Sequence, residues 1–309
     1  MSDTTTIEWA TASWSPWEGC TKVSAGCANC YAETRNHRFG MDNWGKGKPR
    51  RRTSAAYWKK PLAWEREKRE SKDTCGIQRP RIFPSLCDWL DDEVPIEWLA
   101  DFLRLIHDTP NLDWLLLTKR PENFEARMEQ VWKKAASDAA SGIAFDWLRG
   151  NLIPANVWLG ASVENQRCAD ERIPQLLRIP AKLRFLSVEP MLEAVSFRPK
   201  CDTLAEKLHA LTSGHACRPA MLDGIHWVIV GGESGPGARP CNVDWVRSIV
   251  RQCQSAGVPC FVKQLGRRPY IDAKAAPVAG PIDLDLTHAK GGNPAEWPAD
   301  LQVRQFPTL

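Results

Sequence analysis

The chain has 309 residues, 43% hydrophobic and 25% charged, with a formal net charge of +4. That is enough apolar material for a large single core, which argues against disorder, and the net charge is too small to imply nucleic acid by itself. No apolar run approaches the roughly 18 residues that span a bilayer, and Met1-Ser-Asp-Thr-Thr-Thr lacks the basic-then-apolar order of a secretion signal, so a cytoplasmic location is expected.

The first candidate strand covers residues 13–19 and runs into Gly19-Cys20-Thr21-Lys22-Val23-Ser24-Ala25-Gly26-Cys27-Ala28-Asn29-Cys30-Tyr31. The chain has 11 cysteines, an odd and mostly scattered set that does not read as a disulfide framework. Cys20, Cys27 and Cys30 alone form a tight cluster. Three thiolates on a short glycine-bearing loop can hold three irons of a [4Fe–4S] cubane and leave the fourth open to a ligand such as S-adenosylmethionine. The competing reading is a zinc site with His37 as the fourth ligand.

Next comes a basic stretch. Between Lys46 and Lys72 there are eleven Lys or Arg (46, 48, 50, 51, 52, 59, 60, 66, 68, 69, 72) against Glu65, Glu67 and Glu70, a local +8, with Tyr57, Trp58 and Trp64 interleaved. This is either a solvated loop and helix or a phosphate-binding face, with Arg50, Arg51, Arg52, Lys59 and Lys60 as the nucleic-acid candidates and Tyr57 or Trp58 able to stack on a base.

Beyond it, six apolar runs end abruptly in polar residues: Arg81-Ile-Phe-Pro-Ser, Trp114-Leu-Leu-Leu-Thr-Lys, Val157-Trp-Leu-Gly-Ala-Ser, Arg184-Phe-Leu-Ser-Val-Glu, Trp227-Val-Ile-Val-Gly-Gly-Glu and Cys260-Phe-Val-Lys-Gln. Their starts lie 33, 43, 27, 43 and 33 residues apart, a spacing that suits repeated strand-helix-strand units and a parallel sheet. Helical stretches fall between them at residues 96–107, 165–177 and 243–256, the last with Asn242 as N-cap and Gly257 at its end. The fold expected is α/β, a partial (β/α) TIM-like barrel of six to seven parallel strands over residues 1–270. It carries insertions at about 46–72 and 200–224, and residues 271–309 form a surface tail.

In such a barrel the site lies just beyond the strands' carboxyl ends. Those positions hold the three cysteines, then Ser85 and Asp88, then Thr118, Lys119 and Arg120. Ser162 and Glu164, Ser187 and Glu189, Gly231, Gly232, Glu233 and Ser234, and finally Lys263 and Gln264 complete the series. Any one of them is explained by a cap or a loop hydrogen bond. As a ring they suggest a polar ligand, because buried charges must be paired or wet.

Thr-Lys-Val-Ser-x-Gly-Cys-x-x-Cys-Tyr-Ala, Leu-Thr-Lys-Arg-Pro-Glu (117–122), Leu-Gly-Ala-Ser-Val-Glu (159–164), Ser-Val-Glu-Pro-Met (187–191), Gly-Gly-Glu-Ser-Gly (231–235) and Phe-Val-Lys-Gln-Leu-Gly (261–266) resemble a phage-associated family of unknown function with a three-cysteine motif. The likeness runs from about residue 5 to Trp297-Pro-Ala-Asp-Leu. The family is similar to radical SAM enzymes, distantly including spore photoproduct lyase. The resemblance implies Cys20, Cys27 and Cys30 as cluster ligands, S-adenosylmethionine as cofactor, and a reductase or flavodoxin-type electron donor. It makes Gly231, Gly232 and Glu233 similar to the edge that contacts the methionine part of that cofactor.

Two features depart from the radical SAM pattern. The spacing is C-x6-C-x2-C instead of C-x3-C-x2-C, and the Gly-Gly-Glu comes late. The candidate catalytic residues are Glu233, Lys263, Glu189 and Lys119; those for the cofactor are Gly231, Gly232, Glu233, Ser234, Ser162, Glu164 and Tyr31. The expected activity is radical chemistry on a nucleic-acid base, for DNA modification or repair. The alternative is a non-catalytic nucleic-acid-binding protein whose cysteines hold zinc or an iron–sulfur group.

Overall fold

The computed structural model describes residues 5–70, 79–134, 138–198, 221–273 and 280–308. Its centre is a seven-stranded sheet of β1 (Ala12–Ser13), β4 (Arg81–Phe83), β5 (Asp113–Thr118), β6 (Val157–Ser162), β7 (Leu183–Val188), β8 (Trp227–Gly231) and β10 (Cys260–Gln264), in that order. The registers of β1 with β4, β4 with β5, β5 with β6, β7 with β8 and β8 with β10 are parallel. All six apolar runs are strands. Their unbroken Val, Ile, Leu and Trp content is what a strand needs when both of its faces are covered.

The chain divides into two compact units. The first comprises residues 1–161 and 178–184, the second 162–177 and 185–309.

In the first unit the expected strand at 13–19 is two pieces. Pro16 has no N–H to donate, and beyond it β2 (Trp17–Glu18) leaves the sheet to pair antiparallel with β3 (Arg51–Arg52). The cysteine loop therefore follows a small two-stranded ribbon. Its far side is α1 (Tyr31–Arg38), while α2 (Ala55–Trp58) and α3 (Lys60–Glu70) occupy the basic stretch.

Helices α4 (Ile96–Asp108), α5 (Phe124–Lys134) and α6 (Asp138–Arg149) complete the unit. Its core is aromatic. Trp14 stacks on Tyr57 and meets Trp58, Phe102 and Trp114 at centroid distances of 5.4–5.9 Å, and Trp89 stacks on Trp147 at 5.8 Å. Tyr57 and Trp58, expected as base-stacking residues, are thus part of this packing. Buried indoles find acceptors here, among them Trp14 on the Tyr57 carbonyl, Trp114 on Thr109 Oγ1 and Trp147 on the Pro180 carbonyl.

In the second unit α7 (Gln166–Arg178) follows β6, and α8 (Val243–Ala256) lies between β8 and β10. The α8 caps are those expected: the Asn242 side chain accepts from Asp244 N at 2.9 Å, and Gly257 takes the left-handed conformation at φ 66°. The stretch expected as a surface tail, 271–309, contains paired segments and a largely exposed run at 282–290. Strands β9 (Cys241–Asn242), β11 (Pro269–Ala273) and β12 (Gly280–Asp283) form a three-stranded sheet.

Further on, residues 303–306 run antiparallel along β10. Val262 N donates to Val303 O at 2.8 Å, and Gln305 N donates to Cys260 O at 2.9 Å. Phe306 closes on Trp227 and Phe261 at 5.2 and 5.3 Å. This segment covers the open edge that β10 would otherwise present. Of the expected insertion at 200–224, residues 200–220 lie outside the described residues. Among the described residues no helix is long and apolar enough to cross a membrane.

Candidate functional site

The cysteine loop is a turn of 3-10 helix, Ala25–Cys27, followed by Cys30 as the N-terminal flank of α1. Cys20 and Cys30 pack against one small apolar patch of Ala32, Trp44 and Leu86, while Cys27 Sγ lies 3.8 Å from Ser24 Oγ. Burial pushes the Cys20 thiol up to about 12 and also raises Cys30. His37, the zinc candidate, is exposed on α1 two turns beyond Cys30, about 10 Å along the helix axis. Among the described residues no three His, Cys, Asp or Glu side chains are arranged as metal ligands. By chemistry the three thiols are a soft donor set suited to iron–sulfur or zinc.

The end of β5 reaches this loop. Arg120 Nη1 donates to Cys20 Sγ at 3.4 Å and to Asp88 Oδ2 at 3.2 Å, and Nη2 donates to Thr21 O at 2.7 Å. Asp88 accepts further from Thr118 Oγ1 at 2.7 Å, Lys119 N at 2.9 Å and Leu90 N at 3.1 Å. Burial opposes the charge on Arg120, but Asp88 and Cys20 outweigh it and hold the guanidinium well above its ordinary value. The Lys119 ammonium is near enough to Cys30 to oppose part of its upward shift. Tyr31 donates its hydroxyl to Ser85 O at 2.6 Å, tying the start of α1 to the segment after β4.

The five nucleic-acid candidates separate. Arg50 is not available to a phosphate, because its side chain is 0% exposed and so is that of its partner Asp91, 2.7 Å away. Its other donors reach Gly45 O, Lys48 O and Thr21 Oγ1. Arg51 pairs with Glu18 at 2.6 Å, which Arg35 also holds, and Arg52 pairs with Asp101 at 2.7 Å and lies over Trp58. Lys60 sits over the Tyr57 ring, and Lys59 is exposed. Much of the local +8 is thus balanced by carboxylates distant in sequence.

One sequence comparison bears on identity. A family model described as a protein of unknown function matches residues 4–285, almost the whole chain. The chain belongs to that family, DUF5131. No curated protein and no solved structure matches it. DUF5131 membership carries no activity with it, so the chemistry has to be read from the side chains.

In the second unit of this DUF5131 chain the polar groups at the strand ends are paired. Glu164 lies 2.8 Å from Arg172, which also donates to Ser162 O. Ser187 O accepts from Val163 N at 2.8 Å. Glu189 Oε1 receives Lys263 Nζ at 3.0 Å and Gln264 Nε2 at 3.3 Å. Glu233, only 6% exposed, takes a forked pair of bonds from Arg239 at 2.9 and 2.7 Å and a third from Arg239 N; Ser234 follows it.

The glycines have a packing reason. A Cβ on Gly232 would stand 2.3 Å from Leu265 O, and one on Gly231 would stand 3.0 Å from Gln264 O. The expected cofactor edge is therefore first a place where two backbones cross, since only a residue without Cβ permits that approach. Arg239, Arg172 and Asp91 are not among the residues that the sequence singles out. Nothing in local spacing marks them, because their partners are chosen by the fold.

Proposed function

We propose that this chain is a radical S-adenosylmethionine enzyme in which Cys20, Cys27 and Cys30 hold a [4Fe–4S] cluster and the parallel sheet curves as a partial barrel of the radical SAM type. The observation that carries the reading is the Arg120 guanidinium, brought from the end of β5 to Cys20 Sγ at 3.4 Å in the loop that also holds Cys27 and Cys30. Burial raises the Cys20 thiol, and the guanidinium at its sulfur opposes that rise in the direction of the thiolate that a metal requires. When bound, the cluster and S-adenosylmethionine would supply a 5′-deoxyadenosyl radical able to abstract hydrogen from a substrate.

The chain's own residues do the rest. Arg120 and Asp88 hold the Cys20 end of the loop. The Glu189–Lys263 pair, at 12% and 21% side-chain exposure, can take or give a proton at Oε1 or Nζ. A nucleic-acid base is the proposed substrate; of the five basic candidates Arg51, Arg52 and Lys59 are exposed, the first two already held by Glu18 and Asp101. A reductase or flavodoxin-type protein is the proposed electron donor.

Anaerobic reconstitution should give about four irons per chain, and dithionite with S-adenosylmethionine should give 5′-deoxyadenosine. Stoichiometric zinc with no iron uptake removes the reading and leaves a zinc-stabilised binding protein. Affinity for single-stranded and duplex DNA at two salt concentrations tests the substrate class.

A further inference from the structure

We propose that Arg120 is the positioning residue of the cysteine site, gripping the Cys20 sulfur so that added negative charge on an iron–sulfur group is favoured there. The inference rests on the iron–sulfur reading above and goes beyond it by assigning a role to a residue outside the ligand set.

The geometry is specific. Arg120 and Cys20 are 100 residues apart, yet the guanidinium spans the loop by donating to Cys20 Sγ and to the carbonyl of the next residue, Thr21. Its plane is locked from behind. Asp88 accepts from Arg120 and also from Thr118 Oγ1, Lys119 N and Leu90 N, so the carboxylate has no freedom to swing. The Arg120 backbone N–H donates to Thr118 Oγ1 at 2.9 Å, which ties both residues to the end of β5. Arg120, Asp88 and Thr118 are all buried.

If Arg120 were there only to neutralise Asp88, an N–H aimed at sulfur would have no purpose. A fixed, buried positive charge touching a ligand sulfur stabilises the more negative redox state of whatever the sulfur binds.

The test is a redox titration of the reconstituted full-length protein, wild type against Arg120→Met and Arg120→Lys, with Arg104→Met as an exposed control on α4. Iron per chain should be the same in all four. At a fixed solution potential the reduced-to-oxidised ratio should fall about tenfold in Arg120→Met, which is about 59 mV for a one-electron couple. Arg120→Lys, which keeps the charge but cannot fork between Cys20 and Thr21, should fall by less, and Arg104→Met should not move. The low-temperature spin-resonance signal of the reduced protein should shift in the same order.

Equal ratios in all four loaded proteins overturn the inference and leave the iron–sulfur reading standing. Loss of iron in both Arg120 variants also overturns it, in favour of a loop staple. Wild-type protein that takes up no iron fails at the earlier step and removes both. If Arg120→Met does not fold, Arg120→Lys carries the measurement, because it retains a cation for Asp88.

Discussion

Replacing Arg50 with Met tests the claim that the centre of the basic stretch is a buried ion pair. Arg50 and Asp91 both have fully buried side chains, with Nε 2.7 Å from Oδ2. The substitution leaves the Asp91 carboxylate without its cation and leaves Gly45 O, Lys48 O and Thr21 Oγ1 without that donor. Breaking a buried pair from one side costs about 3–5 kcal/mol.

For a unit of this size each kcal/mol shifts the melting temperature by about 2–4 °C, so Arg50→Met should melt roughly 6–20 °C lower. Arg51→Met is the contrast. Arg51 is 53% exposed and Arg35 still holds Glu18, so its cost should stay within about 1 kcal/mol. The double change Arg50→Met with Asp91→Leu should recover most of the loss, since no unpaired charge is left inside. Thermal melts with urea titrations check all three. An Arg50→Met protein that melts within about 2 °C of wild type, with weaker DNA binding at low salt, would refute the argument.

Three further outcomes are expected. Burial raises Asp113 to about 6, against the opposing pull of Arg79 and Arg81. Because the folded state holds that proton more tightly, stability is full below about pH 4 and is lost as pH rises through about 6. Asp113→Asn should match wild type at pH 3.5 and exceed it by up to about 2–3 kcal/mol at pH 8, as read by urea midpoints. Gly232→Ala should destabilise by about 1–3 kcal/mol or more, because its Cβ would clash with Leu265 O; unchanged stability with lost S-adenosylmethionine binding would instead make the glycine a cofactor contact. Phe306→Ala, removing a ring packed on Trp227 and Phe261, should cost about 2 kcal/mol, and a variant as stable as wild type would show the C-terminal segment to be dispensable.

By itself the sequence determined the α/β class, six strands in order, the caps of α8 and the grouping of three cysteines in one loop. These follow from local chemistry: apolar runs broken by polar residues, a capping Asn, a glycine free to turn left-handed, and close spacing along the chain. Only the tertiary structure decided which charges are available. Arg50 reads in sequence like Arg51, yet one is sealed against Asp91 and the other is exposed, because pairing depends on which segment 41 residues away folds alongside. The same reason hid the Arg120 contact to Cys20 and the return of residues 303–306 along β10. The Gly-Gly-Glu segment reads as a ligand edge until the backbone of Leu265 is seen against it. Burial and long-range partnership are properties of packed surfaces, and no window of sequence contains them.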